Sequence, residues 1–181
     1  MDTTNTWTNT AKTLHWLIAF LLLAVWASVE LHELVPRGNP WRDYWIIAHF
    51  TLGASALAVM VIRLVWRASH RPPAPLGGRL QQRLATAVHG LLYLAVLAMP
   101  VTGLLMRQLD GKSTPLPAGL AIPAWLPANT ALAERLEDLH KEWLWNALLA
   151  LIVLHVAGAL WHHWVDRDAT LKRMLPGRRP R

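Results

Sequence analysis

Cysteine is absent from the 181 residues. That excludes a disulfide scaffold, a thiolate metal site, an iron–sulfur cluster and covalent c-type haem attachment. Charge is scarce as well. Asp, Glu, Lys and Arg make up 16% of the chain and apolar residues 54%, where about a quarter charged is ordinary for a soluble domain. So apolar a composition excludes a disordered, charge-driven chain. Tyr and Phe occur only twice each, against 11 Trp. The chain shows no internal repeat, and its length is that of a single domain, 1–181.

What is present is four long runs free of Asp, Glu, Lys and Arg: Thr13–Val29, Tyr44–Ile62, Leu84–Met106 and Trp143–Val165, of 17, 19, 23 and 23 residues. A membrane-crossing helix needs about 20 predominantly apolar residues, whereas a soluble bundle shows a polar face on every helix. The expected fold class is therefore an all-α membrane protein, a four-transmembrane-helix bundle. Its spans fall at about 12–32, 42–66, 82–107 and 138–165, followed by a basic tail, 166–181. The first run lacks a small-residue cleavage site after it and is read as a retained helix rather than a signal peptide. Most of the tryptophans, such as Trp7, Trp16, Trp41, Trp45, Trp66 and Trp164, cluster near span ends, where an apolar indole with one N–H donor suits the interface.

The loops set the orientation. The second loop, with Arg63, Arg67, Arg71, Arg79 and Arg83, carries net +5, and the tail carries +4. The first and third loops carry −1 each and the N-terminal segment is neutral. Lys and Arg favour the cytoplasmic side, so the second loop and both termini are expected in the cytoplasm. This accounts for the formal charge of +7 without nucleic acid as a partner. The second loop reads as an extended connector and the third, rich in proline, as an outer stretch that lays a short amphipathic piece on the membrane surface. Pro100 and Gly103 predict a kink in span three.

Nine histidines are many for a chain of this size, and ionisable residues inside a membrane are usually functional. His15, His49, His89 and His155 fall within spans one to four, and His140 lies at the outer entrance of span four. Depth pairs them. His49 and His140 share the outer leaflet, while His15, His89 and His155 share the inner half. His140 and His155 are 15 residues apart, roughly 22 Å along a helix at about 1.5 Å per residue. Two imidazoles facing one another across a bundle suit haem iron with both axial positions filled. Three inner histidines compete for two such positions. A membrane histidine can also simply bond a neighbouring helix. One zinc site is disfavoured, because zinc needs about four clustered ligands and the two levels are too far apart.

The pattern resembles the bacterial cytochrome b561 family and, more distantly, the cytochrome b subunits of hydrogenase and formate dehydrogenase. The motifs are Leu14-His15-Trp16, Ala48-His49 with Arg63, and His89-Gly90 with Tyr93 and Pro100. The fullest is the run from Leu154-His155 through His162-His163, followed by Asp168, Arg173, Met174, Leu175 and Pro176. The resemblance covers nearly the whole chain and implies two haem b groups held from helices one, two and four. Carried over, His15 and His155 ligate the inner iron and His49 and His140 the outer. His89 and Arg63 become further cofactor-binding residues. One departure stands out: the family implies 14 residues between the two span-four ligands, not 15. Fourteen residues rotate a helix by about −40° and fifteen by about +60°, which leaves two alternatives: a π-bulge between them absorbs the extra residue, or His140 points elsewhere and is not the outer ligand.

The resemblance also implies electron exchange with a membrane quinone such as ubiquinone. His162, seven residues after His155 and on nearly the same face, is the candidate quinone residue on the cytoplasmic side, with Arg79 assisting. Haem propionates need cationic partners. Arg63 and Arg67 are the inner candidates, and Arg37, Arg42 and Arg107 the outer ones. The expected function is an oxidoreductase of the bacterial inner membrane. It would pass electrons between a cytoplasmic-side quinone and a one-electron partner outside, superoxide among the candidates. The alternatives are a haem-bearing membrane anchor for a larger respiratory enzyme, or a non-haem transporter with histidines along its path.

Overall fold

The computed structural model describes residues 6–175, so Asp2, Pro176, Arg178, Arg179 and Arg181 lie outside the described residues. Three long helices come first: α1 (Asn9–Leu34), α2 (Pro40–Ser69) and α3 (Arg79–Leu109). A short connecting segment comes next, in which β1 (Thr114–Pro115) pairs antiparallel with β2 (Ala121–Ile122). The fourth long helix is composite. It comprises α4 (Thr130–Asp138), a π-helical turn (Leu139–Leu144) and α5 (Trp145–Trp164). These are four helices long and apolar enough to cross a membrane.

Local chemistry sets each helix start. The Thr8 hydroxyl accepts from the Ala11 N–H, and the Asn39 side chain accepts from the Trp41 N–H with Pro40 in the first turn. Gln81 reaches back to accept from the Gly78 N–H, 2.8 Å. Asn129 caps α4 through the Leu132 N–H. Each cap satisfies an N–H that the helix leaves without a partner. The fourth helix therefore starts at Thr130 rather than near 138. Its first two turns carry Glu134, Arg135, Glu137 and Asp138, which hid them from a search for charge-free runs. The stretch between α3 and α5, where an amphipathic piece is expected, contains the leading end of the fourth helix. Pro100 lies inside a continuous α3.

The buried cluster is Ile18 from α1, Met60 from α2, Ala95 and Val96 from α3, and Leu148 from α5. Leu148 lies eight residues after His140 and seven before His155. The cluster therefore forms an apolar layer between the two histidine levels. Outside it, large apolar side chains such as Phe20, Leu23, Val65, Leu94 and Val153 are exposed, as a lipid-facing surface requires.

The described part of the tail folds back over one end of the bundle. The Trp16 indole N–H donates to the Met174 carbonyl, 2.9 Å, and the Arg173 guanidinium donates to the Ala74 carbonyl, 3.0 Å.

Candidate functional site

Two histidine pairs face one another across the bundle. His49 on α2 and His140 at the start of the π turn have ring centroids 6.4 Å apart, with planes 88° to each other. His15 on α1 and His155 on α5 are 6.0 Å apart at 71°. His89 on α3 joins the second group, 5.2 Å from His155.

These spacings test whether the residues fit a haem iron. A metal–imidazole bond of about 2 Å, with about 1.1 Å from nitrogen to ring centre on each side, puts two axial rings about 6 Å apart. Both pairs meet that requirement, while His89 and His155 stand closer than it asks.

The far nitrogens support the fit. His49 Nδ1 lies 3.4 Å from the Val25 carbonyl. A carbonyl only accepts, so Nδ1 carries the proton and Nε2 keeps its lone pair. His140 Nδ1 lies 3.1 Å from the Thr102 hydroxyl. That hydroxyl already donates to the Ala98 and Met99 carbonyls, so it accepts from His140. The outer imidazoles are thus oriented with Nε2 available, as metal-ligating histidines usually are.

Helix α3 makes room for this. A Cβ at Gly103 would lie 3.0 Å from His140 Cε1 and 3.4 Å from Nδ1, so the imidazole packs directly on the backbone. The π turn Leu139–Leu144 begins around His140 and ends eleven residues before His155, where a one-residue excess in spacing calls for one. A π turn takes up an additional residue with little net change in the direction that later side chains face.

Arg63 donates to the Ala11 carbonyl, 3.0 Å, and its guanidinium lies 6.0 Å from the Tyr93 ring centre. Of the other propionate candidates, Arg67 lies over the Trp7 ring. Arg42 is engaged with the His32 and Val35 carbonyls and Glu33, closing the first loop.

His162 sits at the end of α5 beside two carboxylates. Its Nδ1 is 2.7 Å from Asp168 Oδ2 and 3.1 Å from Asp166 Oδ2. Gln81 at the start of α3 donates to Asp166, 2.9 Å. A Cβ at Gly77 would come within 3.1 Å of His162 Cε1, so the second loop closes over the ring. Arg79 is not in this group; it lines a separate open groove with Gln82, Arg83 and Thr86.

Burial pushes the Asp168 carboxyl up. Hydrogen bonds from the Thr170 backbone N–H and hydroxyl, together with His162, outweigh it and hold the group below its ordinary range. Sequence reasoning found His162 but missed its carboxylate partners, because they lie past the helix end, where periodicity places nothing. Thr102 and Gly103 were equally hidden, since their roles depend on which face of α3 meets His140.

A family model described as prokaryotic cytochrome b561 matches residues 6–177. Among curated proteins, the "Probable superoxide oxidase CybB" of Yersinia pestis is 33% identical over 169 residues, covering 92% of this chain and 93% of that protein. "Cytochrome b561 homolog 1" of Escherichia coli (strain K12) is 27% identical over 177 residues, covering 97% of this chain and 99% of that protein. "Cytochrome b561 homolog 2" of the same strain is 32% identical over 163 residues, covering 89% and 86%.

Proposed function

Because the chain belongs to the prokaryotic cytochrome b561 family, membrane b-type cytochromes that carry electrons through haem, we propose that it holds two haem b groups and links two redox partners on opposite sides of the membrane. His15 and His155 hold the inner iron, and His49 and His140 the outer. The observation that carries this reading is the matched pair of separations, 6.0 and 6.4 Å, one at each level of the bundle. His89 stands beside the inner pair without being an axial ligand. Haem iron with both axial positions filled supplies one-electron transfer and offers no open position for substrate.

The inner partner is a quinone such as ubiquinone, met at His162 on the cytoplasmic side of a bacterial inner membrane. Full reduction of a quinone takes two electrons and two protons. His162 is placed to handle a proton at Nε2, because its Nδ1 is held by Asp168. A carboxylate on Nδ1 fixes the tautomer and the orientation of the ring. Arg79 guards the neighbouring groove rather than touching His162. The outer partner is a one-electron donor or acceptor. Superoxide is the leading candidate, since a relative covering nearly the whole chain is named a probable superoxide oxidase. Two superoxide anions would each give up one electron to become O2, supplying the two electrons the quinone needs.

The test is the oxidised and reduced visible spectrum of detergent-purified protein, with haem-to-protein ratio, for the wild type and His140→Ala. Two haems per chain falling to one is expected. Two haems persisting in the variant would move the outer ligation elsewhere, and none in the wild type would end the electron-transfer role. Turnover by the isolated chain, without co-purifying subunits, separates a self-contained oxidoreductase from a membrane anchor.

A further inference from the structure

Two buried polar atoms near the outer histidine pair have no hydrogen-bond partner: Arg107 Nε and Thr114 Oγ1. A buried donor left unpaired is costly, and native structures rarely keep one without a reason. The placement of the two points to one reason. Arg107 lies four residues after Gly103, one turn further along the same face of α3, and Gly103 is where the His140 ring packs. The Arg107 guanidinium also stands over the Phe50 ring, 4.8 Å to its centre. Phe50 is next in sequence to His49 and touches its ring edge-on, 5.9 Å between centroids. Arg107 is therefore one turn beyond the point where His140 packs and beside the aromatic neighbour of His49. It is tied to the outer hairpin by a hydrogen bond from Nη2 to the Ser113 carbonyl. Thr114, the next residue, is only 5% exposed, and β1 packs against both α2 and α3.

We propose that Arg107 and Thr114 form an oxyanion clamp for a propionate of the outer haem, with the hairpin as its cover. This rests on the dihaem reading above. Both groups are donors, and what they lack is an acceptor. A carboxylate accepts from a guanidinium with a strong, charge-assisted bond and has lone pairs to spare for a hydroxyl. Thr114 is closed off by the hairpin, so its acceptor arrives from inside the bundle rather than from solution. A haem ligated by His49 and His140 carries two such carboxylates at its rim. The clamp has an electrostatic consequence. A cation beside the haem favours the reduced form, which holds one more electron, so Arg107 raises the outer reduction potential.

The experiment is a spectroscopic redox titration of the purified holoprotein for the wild type, Arg107→Gln, Arg107→Lys and Thr114→Val. The outer haem is identified as the component lost in His140→Ala. The outer potential is expected to fall in Arg107→Gln and by less in Thr114→Val. The inner potential stays fixed and two haems per chain are retained. Arg107→Lys, which keeps the charge, recovers most of the shift. If Arg107→Gln sheds the outer haem altogether, retention in Arg107→Lys with a lowered potential in Thr114→Val supports the clamp equally. Two haems with an unmoved outer potential in both Arg107→Gln and Thr114→Val overturns the clamp alone. A wild-type chain with fewer than two haems overturns the dihaem reading and the clamp with it.

Discussion

Gly103→Ala adds one methyl group at the point where α3 meets the His140 ring. That Cβ would stand 3.0 Å from His140 Cε1 and 3.6 Å from Nε2, whereas ordinary contact begins near 3.4 Å. The ring must retreat by about 0.4 Å or more, while metal–ligand bonds tolerate about 0.2 Å. It cannot retreat freely, because Nδ1 is held by Thr102 and the ring is buried. Overpacking of this kind costs about 1–3 kcal/mol, which weakens ligand binding by about 5- to 150-fold. Alanine is the better helix former by about 1 kcal/mol, so α3 itself is not weakened. The expected result is selective loss of the outer haem. The haem-to-protein ratio falls from two toward one, and the inner haem spectrum and potential stay unchanged. The assay is the reduced-minus-oxidised difference spectrum with haem quantitation after dilution. A Gly103→Ala protein that keeps both haems at unaltered affinity and potential would refute His140 as the outer ligand.

Further outcomes are expected. Asp168→Asn should reduce quinone turnover while leaving both haem spectra intact, since it acts on His162 and not on iron. Because the Asp168 pKa is lowered on folding, its hold on Thr170 and His162 is present above the unfolded carboxylate pKa. That hold is lost as pH falls through the lower folded value, so the Thr170 amide should lose hydrogen-exchange protection only in acid, and at every pH in Asp168→Asn. Gln108, fully buried, donates to the Pro123 carbonyl at 3.0 Å and accepts from the Trp125 N–H at 2.9 Å. Gln108→Ala orphans both groups at about 1–3 kcal/mol each, and should lower Tm and speed proteolysis between 113 and 128, with the spans intact. Deleting Glu142 should convert the π turn to ordinary α-helix and leave both haems bound. Inserting an alanine after Leu149 adds about 100° of rotation, so one haem should be lost.

The four spans were legible because membrane insertion demands long charge-free runs, and these are written one residue at a time. The histidine pairing was legible for a related reason: depth comes from span direction and position, and rotation from residue count. The same count exposed the mismatch between His140 and His155, and the π turn at Leu139–Leu144 resolves it. What stayed hidden depends on contacts between elements. Thr102 looked like any span threonine until its hydroxyl met His140. Asp168 stood in the family motif with no partner assigned until the chain turned back beneath α5, with Arg167 in the left-handed region at φ 53°. Thr114 and Arg107 are seven residues apart across a turn, and no periodicity predicts that the Arg107 Nε and the Thr114 hydroxyl are both shielded there.

The apolar layer between the two histidine levels bears on how electron and proton traffic are separated. Ile18, Met60, Ala95, Val96 and Leu148 come from all four long helices, so every helix contributes an apolar side chain to the layer. An electron crosses such a layer by tunnelling and needs no polar group on the way, whereas a proton needs a chain of donors and acceptors or water. Polar side chains or water in the layer would be costly without partners. In the dihaem reading the electron therefore passes between the levels while protons are confined to the end where they enter. The carboxylates that meet a histidine at hydrogen-bond distance at the inner end, Asp166 and Asp168, both stand against His162, below the layer and beside the proposed quinone. The outer pair is held instead by neutral groups, the Val25 carbonyl and the Thr102 hydroxyl, which orient imidazoles without offering a proton store. In the proposed reading, proton handling falls to His162 with its two carboxylates, and electron exchange to the His49–His140 pair, whose own partners are neutral. That is the division required of a chain coupling a one-electron partner that takes up no proton to a quinone that takes up two.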